Sequence, residues 1–362
     1  MDQSAGEKMN LLKNEIYLNS IDYALTEFQE LFNKFKNKTI MVTGATGLIG
    51  STIIDLLLVA NERFDLAATI CALSRDEKKI IKRFESIYSL ANFNAVQYDA
   101  NDALNIDLKG TVDFVIHAAS NASPNLYNDF PVETMKSNFL GMMNILELVR
   151  QQKEEDTKVV YVSSSEVYGH ITGTLPLKEE DTGEVDILNP RSSYASSKRA
   201  TETLCASYYK EFGVKTVIVR PGHIYGPSAK ESDKRVSSLF VRKAIEGENI
   251  VMKSNGTQIR SYTYSLDCAI AILFSMAFGT PGQAYNISNV NSIITIKEMA
   301  ETIARATNTK VLYDIATSKE TANFNPMENA SLDSQKLEKL GWFGLFNAEQ
   351  GFKNTIDILS RS

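Results

Sequence analysis

The sequence of 362 residues predicts an α/β fold, a doubly wound parallel sheet with a smaller C-terminal lobe. Three observations carry this prediction. Short apolar runs alternate with helical segments over the first 219 residues, and a glycine-rich turn follows the first run. Near residue 220 the alternation stops, and shorter strands and helices replace it. Buried parallel strands typically have such continuous apolar sequences, and helices connect one strand to the next.

The predicted elements begin with an amphipathic helix over 20–36, in a helical extension covering 1–37. Five apolar runs then predict buried strands, at 39–43, 68–73, 112–117, 158–163 and 214–219. Helices are predicted over 48–60, 132–150 and 194–212, and further helices near 236–246 and 267–277. The sheet domain is predicted over 38–219 and the smaller lobe over 220–362. Because no Gly/Ser/Pro-rich linker separates them, we expect intertwined lobes with a cleft between them.

Composition excludes several classes of protein. Lys and Arg number 38 and Asp and Glu 44, a formal net charge of −6 that provides no global attraction to nucleic acid or anionic membrane. No run approaches the ~20 apolar residues that span a bilayer, and the polar N-terminus lacks a signal-peptide core. The three cysteines are widely spaced and form no metal or disulfide motif. We therefore predict a cytoplasmic protein without nucleic-acid or membrane partners and without a bound metal.

A glycine-rich turn predicts a dinucleotide site. Gly44, Gly47 and Gly50 form G-x-x-G-x-x-G directly after the first strand and open a helix. Such a turn lets a pyrophosphate contact backbone N–H groups and lets the helix pack closely on the strand. This Rossmann-like context makes 38–219 the predicted NAD(P)-binding domain. The predicted pyrophosphate contacts are Gly44, Thr46, Gly47, Leu48, Ile49 and Gly50.

The ends of later strands supply the other predicted cofactor contacts. Ser74 and Arg75 at the end of the second strand suit a ribose 2′-phosphate and favour NADP slightly over NAD. Asp76 lies two residues beyond the usual place of an NAD-selecting carboxylate, so NAD stays open. The remaining predicted contacts follow a further strand that ends before residue 99, the runs at 112–117 and 214–219, or lie on a later helix: Asp99, Ala100, Ala118, Ala119, Ser120, Tyr194, Lys198, Pro221 and His223.

Tyr194 and Lys198 form the predicted catalytic pair. They lie four residues apart at the start of a helix, and therefore on one face of it. A lysine ammonium near a phenol favours the phenolate, which can take a proton from a hydroxyl group. Ser164, at the end of the preceding strand, can share that proton. The glycine turn upstream and the serine-rich strand end make this pattern specific.

These motifs resemble the NAD-dependent epimerase/dehydratase family of extended short-chain dehydrogenases, over about residues 38–345. The resemblance implies NAD(P) in the N-terminal lobe and a nucleoside diphosphate, carrying a sugar or an alditol, in the C-terminal lobe. It also implies transient oxidation to a ketone, a second step, and a homodimer packed through the helices near 132–150 and 194–212. A net oxidoreductase and a non-catalytic NAD(P) sensor are the alternatives.

The second step depends on Glu166, two residues after Ser164. Dehydratase relatives carry Thr-Asp-Glu at this turn, whereas Ser165 stands here in place of the Asp. The turn is similar to that of decarboxylases acting on UDP-glucuronate, as are the stretches 119–124, 235–238 and 258–260. The sequence leaves epimerisation, decarboxylation and dehydration open. We predict that Glu166 moves a proton or orients the sugar.

One position departs from the family pattern. His223 stands where relatives usually have an Asn that contacts the substrate phosphate. A histidine can still donate to a phosphate or a ribose, but the substrate can then differ from the usual UDP-hexose. The predicted substrate contacts are Ser120, Ser164, Ser165, Glu166, Arg191, His223, Arg235, Val236 and Arg260.

Overall fold

The computed structural model describes residues 11–85, 91–102, 110–152, 156–171, 176–316 and 327–361. Its strands are β1 (Thr39–Thr43), β2 (Thr69–Ser74), β3 (Phe93–Gln97), β4 (Phe114–His117), β5 (Lys158–Val162), β6 (Lys215–Pro221), β7 (His223–Tyr225), β8 (Ile250–Met252), β9 (Ile259–Tyr264), β10 (Ala284–Ile287), β11 (Ile293–Thr295), β12 (Val311–Tyr313) and β13 (Asn329–Ala330). Its helices are α1 (Glu15–Glu27), α2 (Gln29–Asn33), α3 (Leu48–Phe64), α4 (Glu77–Arg83), α5 (Pro124–Asp129), α6 (Pro131–Gln151), α7 (Ser193–Phe212), α8 (Val236–Ile245), α9 (Ser265–Phe278), α10 (Ile296–Thr307), α11 (Gln335–Glu338) and α12 (Ala348–Ser360).

The main sheet confirms the predicted doubly wound α/β fold. Its strand order is β10-β6-β5-β4-β1-β2-β3, and every neighbouring pair is parallel. The direction of winding reverses between β1 and β4, which opens a crevice at the carboxyl ends of these strands. The five strands predicted from apolar runs lie within two residues of their predicted bounds. The seventh strand, β10, had not been predicted, and it brings chain from beyond residue 219 into the sheet.

Helices cover both faces of this sheet. On one face α6 packs against α7, and on the other α3 packs against α9. The N-terminal extension packs on α3, α9 and α12. The single helix predicted over 20–36 is wrong in detail. Asn14 caps a helix that begins at Glu15, and the chain breaks at Phe28 (φ −119°, ψ 34°) before α2. Its apolar side is nevertheless buried, as the helical spacing predicted.

The smaller lobe is built on β9, which pairs with β7, β11 and β13. The chain enters it directly from the main sheet, because β6 ends at Pro221 and β7 begins at His223. Gly222 permits this crossing, since a Cβ atom there would lie 2.7 Å from the carbonyl oxygen of Ser261. No helix in the described ranges is both long and apolar enough to cross a membrane.

Candidate active site

The glycine turn between β1 and α3 forms a cradle without side chains. Gly44 has φ +70°, and a Cβ atom there would lie 2.7 Å from the carbonyl oxygen of Ala118. A Cβ atom on Gly50 would collide with the backbone of Gly44. Gly47 is the N-cap of α3, and no side chain caps the first N–H groups of that helix. These N–H groups suit the pyrophosphate of a dinucleotide, so the residues present fit the predicted cofactor.

The end of β2 presents polar side chains beside this turn. The hydroxyl groups of Thr46 and Ser74 lie 3.2 Å apart. Arg75 is exposed, whereas Asp76 forms an ion pair with Lys79 at 3.4 Å. At the end of β3, the carboxylate of Asp99 accepts hydrogen bonds of 2.9 Å from the backbone and side-chain nitrogens of Asn101.

Hydrogen bonds fix the crevice between β1 and β4. The hydroxyl group of Thr43 lies 3.0 Å from Nδ1 of His117 and accepts a hydrogen bond of 3.2 Å from the backbone of Ala119. Burial, aided by the charge of Lys198, lowers the pKa of His117 to about 3. His117 is therefore a neutral packing residue. Ala118, Ala119 and Ser120 extend from it towards the catalytic pair.

Tyr194 and Lys198 lie on the buried face of α7, at 6% and 2% exposure. The lysine Nζ lies 5.7 Å from the centroid of the Tyr194 ring and donates a hydrogen bond of 2.7 Å to the carbonyl oxygen of Val162. Burial lowers the pKa of Lys198 to about 7. Burial also raises the pKa of Tyr194 to about 12, although the nearby Ser164 and Ser120 hydroxyl groups oppose this. Desolvation of the phenol thus dominates, and the lowering of the Tyr194 pKa expected from Lys198 is not observed.

Glu166 is brought to this pair by a tight turn. Ser164 caps the 3-10 turn Ser165–Tyr168, and its hydroxyl group accepts a hydrogen bond of 3.2 Å from the backbone of Glu166. Burial raises the pKa of the Glu166 carboxyl group, while the positive charges of Arg191 and Arg260 act against it. Glu166 in turn contributes to the high pKa of Tyr194. The acid, the tyrosine and two arginines therefore share one electrostatic environment.

Tyr127 is a site residue that the sequence reasoning missed. Its ring stacks on that of Tyr194, with centroids 5.2 Å apart and an interplanar angle of 20°. The side chain is 4% exposed, and burial, together with Glu166, raises its pKa. The sequence did contain a signal for this site residue, because Tyr127 closely follows the stretch 119–124, which resembles the family.

A second missed feature is a buried polar network behind the catalytic helix. Arg220 binds the carboxylate of Glu202 through two nitrogens, at 3.0 and 2.6 Å, and also donates to the Tyr168 hydroxyl group at 3.0 Å. Ser163 donates to Glu202 at 2.6 Å. Tyr168 donates to the amide oxygen of Asn286 on β10, also at 2.6 Å. Glu202 lies one turn after Lys198, so the helical spacing itself pointed to it.

The smaller lobe contributes arginines held in fixed positions. Arg235 pairs with Asp233 at 2.6 Å and donates to the carbonyl oxygen of Ile224 at 3.0 Å. Arg260 is 4% exposed and donates to the carbonyl oxygens of Ile259 and Met327, each at 2.8 Å.

Not all of the predicted substrate contacts are buried. Val236, at the first position of α8, is 43% exposed, whereas Ser165 and Arg191 are half-buried. His223 lies beside Arg235 and Arg260, whose positive charges both act on it.

Comparison with known proteins gives concordant results. The model of the NAD dependent epimerase/dehydratase family matches residues 40–288. UDP-glucuronic acid decarboxylases 3 and 6 of Arabidopsis thaliana are 30% and 31% identical over 306 residues, each alignment covering 84% of this chain and 84% of the relative.

Solved structures share the fold. The UDP-N-acetylglucosamine 4-epimerase of Methanobrevibacter ruminantium, in complex with UDP-N-acetylmuramic acid, superposes with a TM-score of 0.77 at 22% identity, over 90% of this chain and 100% of that one. The dTDP-glucose 4,6-dehydratase of Bacillus anthracis, in complex with NAD, gives 0.73 at 22% identity, over 90% and 97%. The fold, the glycine cradle and the matched family model lead to one conclusion: this chain is an enzyme of the NAD dependent epimerase/dehydratase family.

Proposed function

We propose that this enzyme decarboxylates a nucleotide-linked uronate, such as UDP-glucuronate, through a transient ketone. The observation that carries the proposal is the placement of Arg191 and Arg260 around Glu166, beside Tyr194. The guanidinium group of Arg260 is held by backbone carbonyl oxygens, and two guanidinium groups suit the two anionic parts of such a substrate, its diphosphate and its carboxylate. The similarity to UDP-glucuronic acid decarboxylases supports the same choice.

The chemistry follows from the positions of these side chains. Bound NAD would accept the hydride that leaves the sugar carbon and would return it to the same carbon at the end of the turnover, so that the cofactor is recycled. Tyr194, aided by Ser164, takes the proton of the hydroxyl group on that carbon, and Lys198 stabilises the phenolate that this requires. Oxidation leaves a ketone on the carbon next to the one that bears the carboxylate. The bond to that carboxylate then breaks, and its electron pair enters the ketone as an enolate. A proton added at the carbon that lost the carboxylate restores the ketone, and Tyr194 can then return its own proton to the ketone oxygen as the hydride comes back to the ketone carbon.

Glu166 has a second task in this scheme. Its raised pKa, caused by burial, lets it hold a proton near neutral pH more readily than an exposed glutamate. We propose that it orients the sugar ring and delivers a proton after carbon dioxide has left. An epimerase would use the same groups to remove and replace a proton.

Cofactor choice is a separate proposal. The family is NAD dependent, and we propose in addition that Ser74 and the exposed Arg75 allow NADP to bind. Calorimetric titration with each dinucleotide tests this, because Arg75→Ala should weaken NADP binding and leave NAD binding unchanged. Equal losses for both cofactors would contradict the role of Arg75.

We also propose a homodimer formed through α6 and α7. Val132 and Met135 on α6 are 63% and 47% exposed, and the half-buried Phe139 and Met143 continue their line at helical spacing. A second copy of the same apolar stripe is the partner that fits. Light scattering should show a dimer that Met135→Glu converts to a monomer, whereas Leu312→Glu, a change on another surface, should not.

Mass spectrometry of the products in heavy water tests the main proposal. We expect loss of carbon dioxide from UDP-glucuronate, with deuterium in the product. Deuterium uptake into an isomer of unchanged composition would instead identify an epimerase, and loss of water a dehydratase. The UDP-, CDP-, GDP- and TDP-linked sugars form the panel. The cytoplasmic location, which the buried free thiols of Cys71, Cys205 and Cys268 fit, stays a prediction.

A further inference from the structure

His223 has an unmet hydrogen-bonding group at the edge of the cleft. It is the first residue of β7, at the point where the chain leaves the main sheet for the smaller lobe. Its Nδ1 atom is buried, and no described residue forms a hydrogen bond with it. The ring packs against Tyr262, with centroids 5.7 Å apart. A buried polar atom without a partner costs free energy and calls for an explanation.

Two immobilised cations flank this imidazole. Arg235 approaches from the start of α8 and is held by Asp233, whereas Arg260 approaches from β9 and is held by backbone carbonyl groups. Glu166, in the turn after β5, acts on Arg260. Burial first, then the charges of Arg260 and Arg235, lower the pKa of His223 to about 3. The imidazole is therefore neutral at physiological pH and stands beside two positively charged groups.

We propose that His223 takes up a proton when the diphosphate of a nucleotide sugar binds beside Arg235 and Arg260, and then donates through Nδ1 to the bound anion. This inference rests on the proposed function, because it assigns the diphosphate to that cleft. The phosphate charges would stabilise a proton on the imidazole, against the burial and the two positive charges that disfavour it, and a phosphate oxygen would supply the missing partner. The proton comes from the solvent, so binding and protonation are coupled.

This coupling makes nucleotide-sugar affinity depend on pH. Where binding takes up one full proton, the affinity falls up to tenfold for each unit of rise in pH. An asparagine, which is the usual residue at this position in relatives, would bind without any such dependence. His223 would thus tie the substrate affinity of this chain to pH in a way that an asparagine cannot.

Proton uptake can be counted directly by calorimetry. UDP-glucose is titrated into the intact protein in two buffers of different ionisation enthalpy, at about pH 6 and about pH 8, on either side of the ordinary histidine pKa. Its diphosphate is a diester and has no group that titrates in this range. We expect uptake of a substantial fraction of a proton at the lower pH, and much less at the higher pH. The variant His223→Asn should bind with no uptake at either pH.

Two further variants complete the test, one as a replacement and one as a control. His223→Gln also lacks a titrating group and replaces His223→Asn if thermal unfolding shows that the latter is misfolded. His170→Asn removes an exposed histidine that is not among the predicted site residues and should leave the uptake unchanged. Binding of UDP-glucose without proton uptake, or uptake that persists in both His223 variants, would overturn this inference and leave the proposed function intact. If no member of the nucleotide-sugar panel binds, both are overturned.

Discussion

Two acidic side chains whose pKa values are raised by burial of the carboxyl group, the fully buried Asp55 and the half-buried Glu166, have very different surroundings. Asp55 lies on α3, where the N-terminal extension docks, and it is fully buried. Its Oδ2 atom accepts a hydrogen bond of 2.9 Å from the Tyr17 hydroxyl group and forms an ion pair with Arg83. Glu166 lies at the carboxyl edge of the sheet, and no described residue donates a hydrogen bond to its carboxylate.

This difference separates an acidic group that stabilises the fold from one that is available to a substrate. Tyr17, Asp55 and Arg83, here called the docking cluster, bond to one another through Oδ2 of Asp55 and so hold two parts of the chain together, although Oδ1 of Asp55 and Nη1 of Arg83 have no described partner. In the catalytic cluster, formed by Tyr194, Lys198, Ser164 and Glu166, the lysine and the serine have protein partners, whereas the carboxylate of Glu166 stays available to a substrate. Both clusters raise the pKa of a carboxyl group by burial, so a shifted pKa alone does not distinguish them.

The largest expected effect is on catalysis. Tyr194→Phe removes the hydroxyl group that takes the substrate proton, so we expect kcat to fall about 1000-fold. Thermal stability and NAD binding should change little, because the ring and its stacking on Tyr127 are kept. Steady-state kinetics and calorimetry measure these quantities. Turnover close to that of the wild type would show that Tyr194 takes no part in the mechanism. The contrast between the catalytic and the docking cluster would then fail.

The docking cluster should show the opposite pattern. Arg83→Met leaves the carboxylate of Asp55 buried without its cation, so unfolding should become easier by about 3–5 kcal/mol. The kcat of the folded fraction should be unchanged. The control is Arg63→Met, which breaks the more exposed pair with Asp22 at 2.7 Å and should cost about 1 kcal/mol or less. Urea unfolding measures both, and equal losses in the two variants would contradict the structural role of burial.

A pair of glutamates near the active site sharpens the comparison. Glu166→Gln should lower kcat about 100-fold with little change in stability, because the carboxylate serves the substrate. Glu202→Gln should destabilise the fold by roughly 1–3 kcal/mol, because it weakens the bonds to Arg220 and Ser163. Its effect on kcat should be the smaller of the two. Steady-state kinetics and urea unfolding of both variants measure these losses. A larger loss of kcat in Glu202→Gln and a larger loss of stability in Glu166→Gln would show that the two roles are wrongly assigned.

The last effect concerns Lys198 and is spread over several pH units. Its folded pKa of about 7 lies below the ordinary lysine value of about 10.4, so between these pH values the folded state binds fewer protons than the unfolded state. The cost of burying the ammonium is therefore full below pH 7 and disappears as the pH rises. Wild-type stability should rise relative to Lys198→Met by up to about 1.4 kcal/mol per pH unit across this window. Parallel curves for the two proteins would contradict the lowered pKa.

Much of the fold could be predicted because its signals are local. The alternation of apolar runs marked the strands, and Gly44, Gly47 and Gly50 marked the turn where a side chain cannot fit. Tyr194 and Lys198 were found because four residues make one helical turn. The break at Phe28 and the short strand β10 were missed, since neither has a periodic pattern long enough to identify it.

The sequence by itself determined the family, the order of the main elements and the chemical groups available for catalysis. Only the tertiary structure decided how those groups meet. It placed Tyr127 on Tyr194 and Tyr17 against Asp55, and it brought His223 within reach of the charges of Arg235 and Arg260. It also set the pKa values, raising that of Tyr194 where the sequence had suggested a lowering. The physical reason is that helical period and turn chemistry act over a few residues, whereas burial and electrostatic fields sum over segments far apart in the chain.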